Sequence, residues 1–238
     1  MKILAFETSA KAASAALLED DRLVAEYYQN CGQTHSRTLM KMAEDLLQNC
    51  AMTPADLTAV ACAAGPGSFT GIRIGVAAAK GLAWGRELPC IGVSTLEAMA
   101  YQAQEFEGLI CCAMDARREQ IYHALFSAER GKLTRLCEDC AISLQELAER
   151  LENEEKPKII VGDGAQLCYN TVGRNVSGCI LAPEHQVMQR ASGVALAARQ
   201  RLLAGDLGDG AALTPNYLRL SQAERERAER LAKESING

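Results

Sequence analysis

The chain has 238 residues, 48% hydrophobic and 23% charged, with 25 Lys and Arg against 30 Asp and Glu for a net charge of −5. That mix suits a globular protein and excludes a disordered, collagen-like or low-complexity chain. A protein that grips nucleic acid unaided carries a basic face, and this charge balance offers none.

The longest apolar runs, around residues 60–64 and 77–79, are far too short for a membrane span. Glu7 arrives before a signal-peptide core could form, so a cytoplasmic chain with no membrane partner is expected. Of the ten cysteines, Cys62, Cys90, Cys111, Cys112 and Cys179 lie in apolar surroundings and read as buried, reduced thiols. Cys137 and Cys140 form the one CxxC. A structural zinc needs a second pair or added histidines, and His35, His123 and His185 stand far apart, so no metal is expected.

In chain order, residues 2–7 read as a buried strand, and residues 14–18 and 23–28 complete a three-strand meander across a turn at 19–21. A helix follows over 34–50, with Leu39, Met42, Ala43, Leu46, Leu47 and Cys50 on one stripe. Thr53 and Pro54 start a short helical turn. A strand over 58–64 runs into Gly65-Pro66-Gly67-Ser68, then a helix over 70–84 and a strand over 88–93. Ser94 and Glu97 read as a capping box opening the next helix. The pattern predicts a mixed sheet with helices on its faces.

The second half begins alike, with strands predicted over 109–115, 120–126 and 132–136. A shift of 108 residues lays Glu7 on Asp115 and residues 13–18 on 121–126. A capping box at Ser143 and Glu146, strands over 158–161 and 178–182, and a helix over 190–204 closed by Gly205 follow. Two related lobes are therefore expected: residues 1–105, residues 106–220, and a charged helical tail at 221–238.

Two lobes that each open with strand, acid, tight turn and strand suggest the actin, sugar-kinase and Hsp70 ATPase architecture. In that fold the first turn faces phosphate, and Glu7, Thr8 and Ser9 have its shape. The alternative is a turn capped by its own hydroxyls. A working ATPase needs further acids near the phosphates to hold Mg²⁺, and residues 10–13 carry none. The segment from Gly65 joins a strand to a helix N-terminus, where an anion can sit, but it lacks the Gly-Lys-Ser/Thr of a P-loop. Gly71, Gly75 and Ala79 recur every four residues along that helix. Glycine inside a helix costs about 1 kcal/mol, so something approaches closely: either this chain's own sheet or first helix, or a second molecule.

The segments ILAFETS from Ile3, HSRTLM from His35 and GPGSFTGIRIGVAAAKGLA from Gly65 resemble the TsaB (YeaZ) family. MDARREQIYHALF from Met114, VGDGA from Val161 and LTPNYLR from Leu213 are similar to the same family, and the resemblance covers about residues 2–220. It implies a two-lobed actin-like ATPase (ribonuclease H-like) α/β fold, each lobe a mixed sheet flanked by helices. It also implies a non-catalytic partner of the related subunit TsaD, which transfers threonylcarbamoyl from its adenylate to the tRNA adenosine 3′ of the anticodon. The ATPase TsaE joins the pair, and tRNA is touched only through the complex. The two metal-binding histidines of TsaD fall on Thr95 and Met99 here, so the resemblance implies no metal and no cofactor. It further implies that helices 34–50 and 70–84 meet TsaD, or a second copy in a homodimer, through Leu39, Met42, Leu46, Gly71, Ile74, Gly75 and Ala78. Glu7, Thr8 and Ser9 would mark a vestigial nucleotide cleft. The competing expectations are an active ATPase or phosphotransferase of this fold, and a metallopeptidase of the glycoprotease type.

Overall fold

The computed structural model describes residues 1–219. The first sheet is built from β1 (Lys2–Glu7), β2 (Ala13–Glu19), β3 (Arg22–Gln29), β4 (Ala59–Gly65) and β5 (Cys90–Ser94), in the order β3-β2-β1-β4-β5. The meander is antiparallel, and β4 and β5 add in parallel to β1. The second sheet uses β6 (Gly108–Asp115), β7 (Gln120–Glu129), β8 (Lys132–Arg135), β10 (Lys158–Val161) and β11 (Cys179–Leu181), in the order β11-β10-β6-β7-β8. A strand absent from the sequence reading, β9 (Cys140–Ser143), also pairs with β7. The antiparallel and parallel pairings repeat those of the first sheet. Glu7 and Asp115 end equivalent strands, as the 108-residue shift requires.

The helices are α1 (His35–Asn49), α2 (Phe69–Trp84), α3 (Thr95–Gln102), α4 (Leu144–Glu152), α5 (Ala165–Thr171), α6 (Glu184–Val187) and α7 (Ala191–Leu203). Alternation along β1 explains how they cover the first sheet. Leu4 and Phe6 face a core with the α1 stripe and Ile72 and Val76 of α2, while Ile3 and Ala5 face a core with Val194 and Ala195 of α7. The capping box at Ser143 and Glu146 opens α4 as expected. At α3 only half of it forms. Ser94 Oγ accepts the Glu97 N–H at 3.2 Å, while the Glu97 carboxylate lies 3.6 Å from Arg135 instead.

Helices pack across the linear division of the chain. Leu96, Met99 and Ala100 of α3 belong to the core of the second sheet, α3 also gives Ala98 to the core of the first, and α7 belongs to the first. The two helices cross where Gly193 abuts the Ala98 carbonyl, an approach that leaves no space for a Cβ. After α7 the chain returns over the first lobe. Leu213 packs against its core, Lys80 donates to the Ala211 and Leu213 carbonyls, and the Asn216 N–H donates to the Ala64 carbonyl at 2.6 Å. The charged tail expected at 221–238 lies outside the described residues.

Candidate functional site

The strand ends meet in a cleft of about 460 Å³ between the lobes. On one wall is the β1–β2 turn. Glu7 is 1% exposed, and its Oε1 accepts the Ser9 N–H at 2.5 Å. Its Oε2 and the Ser9 hydroxyl are buried without a partner among the described residues. Burial raises the Glu7 carboxyl from 4.5 to about 7, against the Ser9 hydrogen bonds, and nearby Asp163 adds to the rise.

The close approach that the α2 glycines demanded comes from this turn. Thr8 Oγ1 donates to the Gly71 carbonyl at 2.8 Å. A Cβ on Gly71 would collide with the Thr8 carbonyl, and one on Gly75 with the Thr8 hydroxyl. Gly67 lies equally tight against Ser9. The amides that open α2 are also engaged, since the Ser68 N–H donates to the Ser9 carbonyl at 2.7 Å and the Gly71 N–H to Ser68 Oγ at 3.2 Å. The backbone donors that would cradle a phosphate there are thus partly spent on the chain itself.

The opposite wall comes from the second lobe. Asp115 ends β6 and accepts the Arg117 N–H at 2.7 Å. Arg117, Arg118 and Glu119 all take left-handed backbone, with φ of 63°, 55° and 58°. Asp163, in the loop after β10, accepts from Gln189 at 2.9 Å, and burial raises its carboxyl, with Asp115 adding to the effect. Asp163 therefore stands between the two walls, raising the Glu7 carboxyl and itself raised by Asp115. The sequence reading missed Asp163 as a partner of Glu7, although VGDGA marked its loop. At the mouth, Tyr217 stacks on Phe69 at 4.6 Å, Arg73 donates to the Tyr217 hydroxyl at 2.7 Å, and Arg219 donates to the Ala116 carbonyl at 2.7 Å. Residues 213–219 thus strap the two lobes together.

Thr95 and Met99 are both buried, Met99 in the second core. Among the described residues no group of three or more His, Cys, Asp or Glu side chains is arranged to hold a metal.

Five of the seven residues expected at a partner surface are buried within this chain. Leu39, Met42 and Leu46 fill the first core under β1, and Gly71 and Gly75 are buried against Thr8. The α1 stripe covers its own sheet. Ile74 and Ala78 stay part-exposed. Beside them on α2 lie exposed Ala77 and Trp84, the latter 81% exposed, and α1 shows Met40 at 48%.

A family model described as TsaD, tRNA N6-adenosine threonylcarbamoyltransferase, matches residues 28–226. The chain is 35% identical over 226 residues to the Bacillus subtilis tRNA threonylcarbamoyladenosine biosynthesis protein TsaB, covering 94% of this chain and 96% of that one. The chain belongs to the TsaB family. The Escherichia coli protein of the same description is 36% identical over 184 residues, 76% of this chain and 78% of its own. Among solved structures, YeaZ from Pseudomonas aeruginosa superposes with a TM-score of 0.77 at 25% identity, covering 91% of this chain and 99% of that one. The Acidaminococcus fermentans (R)-2-hydroxyglutaryl-CoA dehydratase component A matches at a TM-score of 0.52 and 12% identity over 85% of this chain and 99% of its own, a likeness of fold alone. The fold is the two-lobed actin-like α/β fold that the sequence implied.

Proposed function

We propose that this chain is a non-catalytic partner in the formation of threonylcarbamoyladenosine on tRNA, acting in the cytoplasm by binding and supporting a TsaD-type transferase together with a TsaE-type ATPase. What carries the reading is the membership of the TsaB family together with the state of the cleft. The TsaB relatives are described by that biosynthesis. The Ser68 amide ahead of α2 is engaged by the β1–β2 turn and the Gly71 amide by Ser68 Oγ, and Thr95 and Met99, at the positions of the TsaD metal histidines, are buried. An actin-like chain whose phosphate-facing amides are partly spent on itself and whose metal-ligand positions hold Thr95 and Met99 acts through its surfaces.

The surface we assign to the partner is the outer stripe of α2: Ile74, Ala77, Ala78 and Trp84. Small residues let a second helix approach closely, and a cluster of exposed apolar side chains marks an interaction site. A second copy of this chain would use the same stripe in a homodimer. The test is calorimetric or chromatographic association with the TsaD-type subunit of the same organism. The Ile74→Glu variant should stay folded and lose association, and a folded variant binding at wild-type affinity would reject the stripe.

One observation keeps the competing reading in view. Asp115 and Asp163 line the cleft and Glu7 is buried in the turn at its wall, more acids than residues 10–13 suggested. If they serve a Mg²⁺–nucleotide, the purified chain hydrolyses ATP, and substitution of Asp115 stops it. On the accessory reading it does not turn over.

A further inference from the structure

The outer edge of β7 is divided between two strands: β8 pairs with residues 126–129 and β9 with residues 120–123. The link between them passes Leu125, whose backbone N–H donates to the Cys137 sulfur at 3.2 Å. Cys140 opens β9, and its thiol donates to the His123 carbonyl at 3.5 Å. Arg150 of α4 then reaches both sulfurs with one Nη1, at 3.9 Å from Cys137 and 3.7 Å from Cys140. Asp139, between the cysteines, is held from two sides, by Arg135 at 2.7 Å and by the Ser94 hydroxyl at 2.5 Å. The loop is therefore fixed before any chemistry occurs.

The two sulfurs are not equivalent. Cys137 receives two N–H donors, whereas Cys140 receives one donor and gives one. Both are part-exposed, unlike Cys62, Cys111 and Cys112, whose thiols are pushed up by deep burial. Burial lifts the Cys140 thiol as well, but there Arg150 pulls it back. A guanidinium beside a reachable sulfur is the setting in which cysteines react.

We propose that Cys137 and Cys140 form a thiol–disulfide site for low-molecular-weight disulfides of the glutathione class, with Cys137 the attacking sulfur, Cys140 the resolving one and Arg150 a positioning residue for both. The Cys137 thiolate attacks one sulfur of the small disulfide, forming a mixed disulfide and expelling one thiolate. Cys140 gives up its proton, attacks the Cys137 sulfur and expels the second. The pair loses two electrons, which reduce the small disulfide to two thiols, and the two cysteine protons end on those thiols.

Tryptic cleavage makes the test direct, because residues 136–150 carry Cys137 and Cys140 and no other cysteine. The full chain is equilibrated with glutathione disulfide, alkylated and digested. The peptide is expected without alkyl groups and lighter by two hydrogens than the dithiol. Cys140→Ser should accumulate glutathione on Cys137, while Cys137→Ser, left with the sulfur that donates its own proton to the His123 carbonyl, should take up glutathione more slowly at Cys140. Arg150→Gln, with unchanged circular dichroism, should slow disulfide closure and move its pH–rate profile upward, since Arg150 pulls the Cys140 thiol down; an unmoved profile removes Arg150 from the site. The proposal is overturned if both cysteines remain alkylated while exposed Cys31 carries glutathione, or if each takes its own glutathione and no internal bond forms.

Discussion

Glu7→Gln isolates the most unusual group in the cleft. The wild-type carboxyl is buried with one oxygen unpartnered and rises from 4.5 to about 7. The folded state therefore holds a proton that the unfolded chain has already released. The favourable contribution is complete below about pH 4.5 and is lost as pH rises through about 7. At about 1.4 kcal/mol per pKa unit, the loss across that window is about 3 kcal/mol. Glutamine does not titrate. Its amide adds an unsatisfied donor at the site of Oε2, at a cost of about 1–3 kcal/mol that is the same at every pH. The quantity to measure is the difference in unfolding free energy between wild type and variant, from urea titrations between about pH 4.5 and pH 8. The difference should move toward the variant by about 3 kcal/mol over that range, while other groups cancel. Parallel profiles would mean that Glu7 is ionised throughout, satisfied by water or a cation, and would refute the desolvated turn described above.

Three further outcomes follow from the same geometry. Gly75→Glu drives a charge into the Thr8 hydroxyl and should lower the melting temperature sharply or prevent folding, whereas Ile74→Glu leaves the monomer intact, and circular dichroism separates the two. Leu46→Ala, at a fully buried position of the α1 stripe, should cost about 2–5 kcal/mol in denaturant titration, and a loss under about 1 kcal/mol would contradict the placement of α1. With a net charge of −5, the isolated chain should bind tRNA only at the level of non-specific contacts at physiological salt, and submicromolar affinity in a filter or anisotropy assay would contradict this.

Much of the architecture was legible in the sequence because its signals are local and periodic. The alternation in β1, the α1 stripe, the capping box at Ser143 and the glycine after α7 each report on neighbours within a few residues. The 108-residue repeat gave the second lobe from the first. What escaped depends on contacts distant in sequence. Nothing near α3 or α7 says that α3 packs between both cores or that α7 returns to the first sheet, and β9 and α5 are too short to carry a period. The glycines of α2 showed that something comes close, but only the fold identifies Thr8 as the answer. The α1 stripe was legible as apolar, yet which molecule it covers is decided by β1 and β4 behind it. The meeting of Asp163 with Glu7, and of Arg150 with the two cysteines, likewise exists only once both sheets are in place.

The accessory role is tested most directly by removing this protein from its own cells and measuring threonylcarbamoyladenosine in bulk tRNA by nucleoside mass spectrometry, with wild-type and Ile74→Glu chains supplied back. The account predicts that the modified nucleoside falls on depletion, returns with the wild-type chain and stays low with the variant expressed at equal abundance. Normal levels after depletion would contradict it.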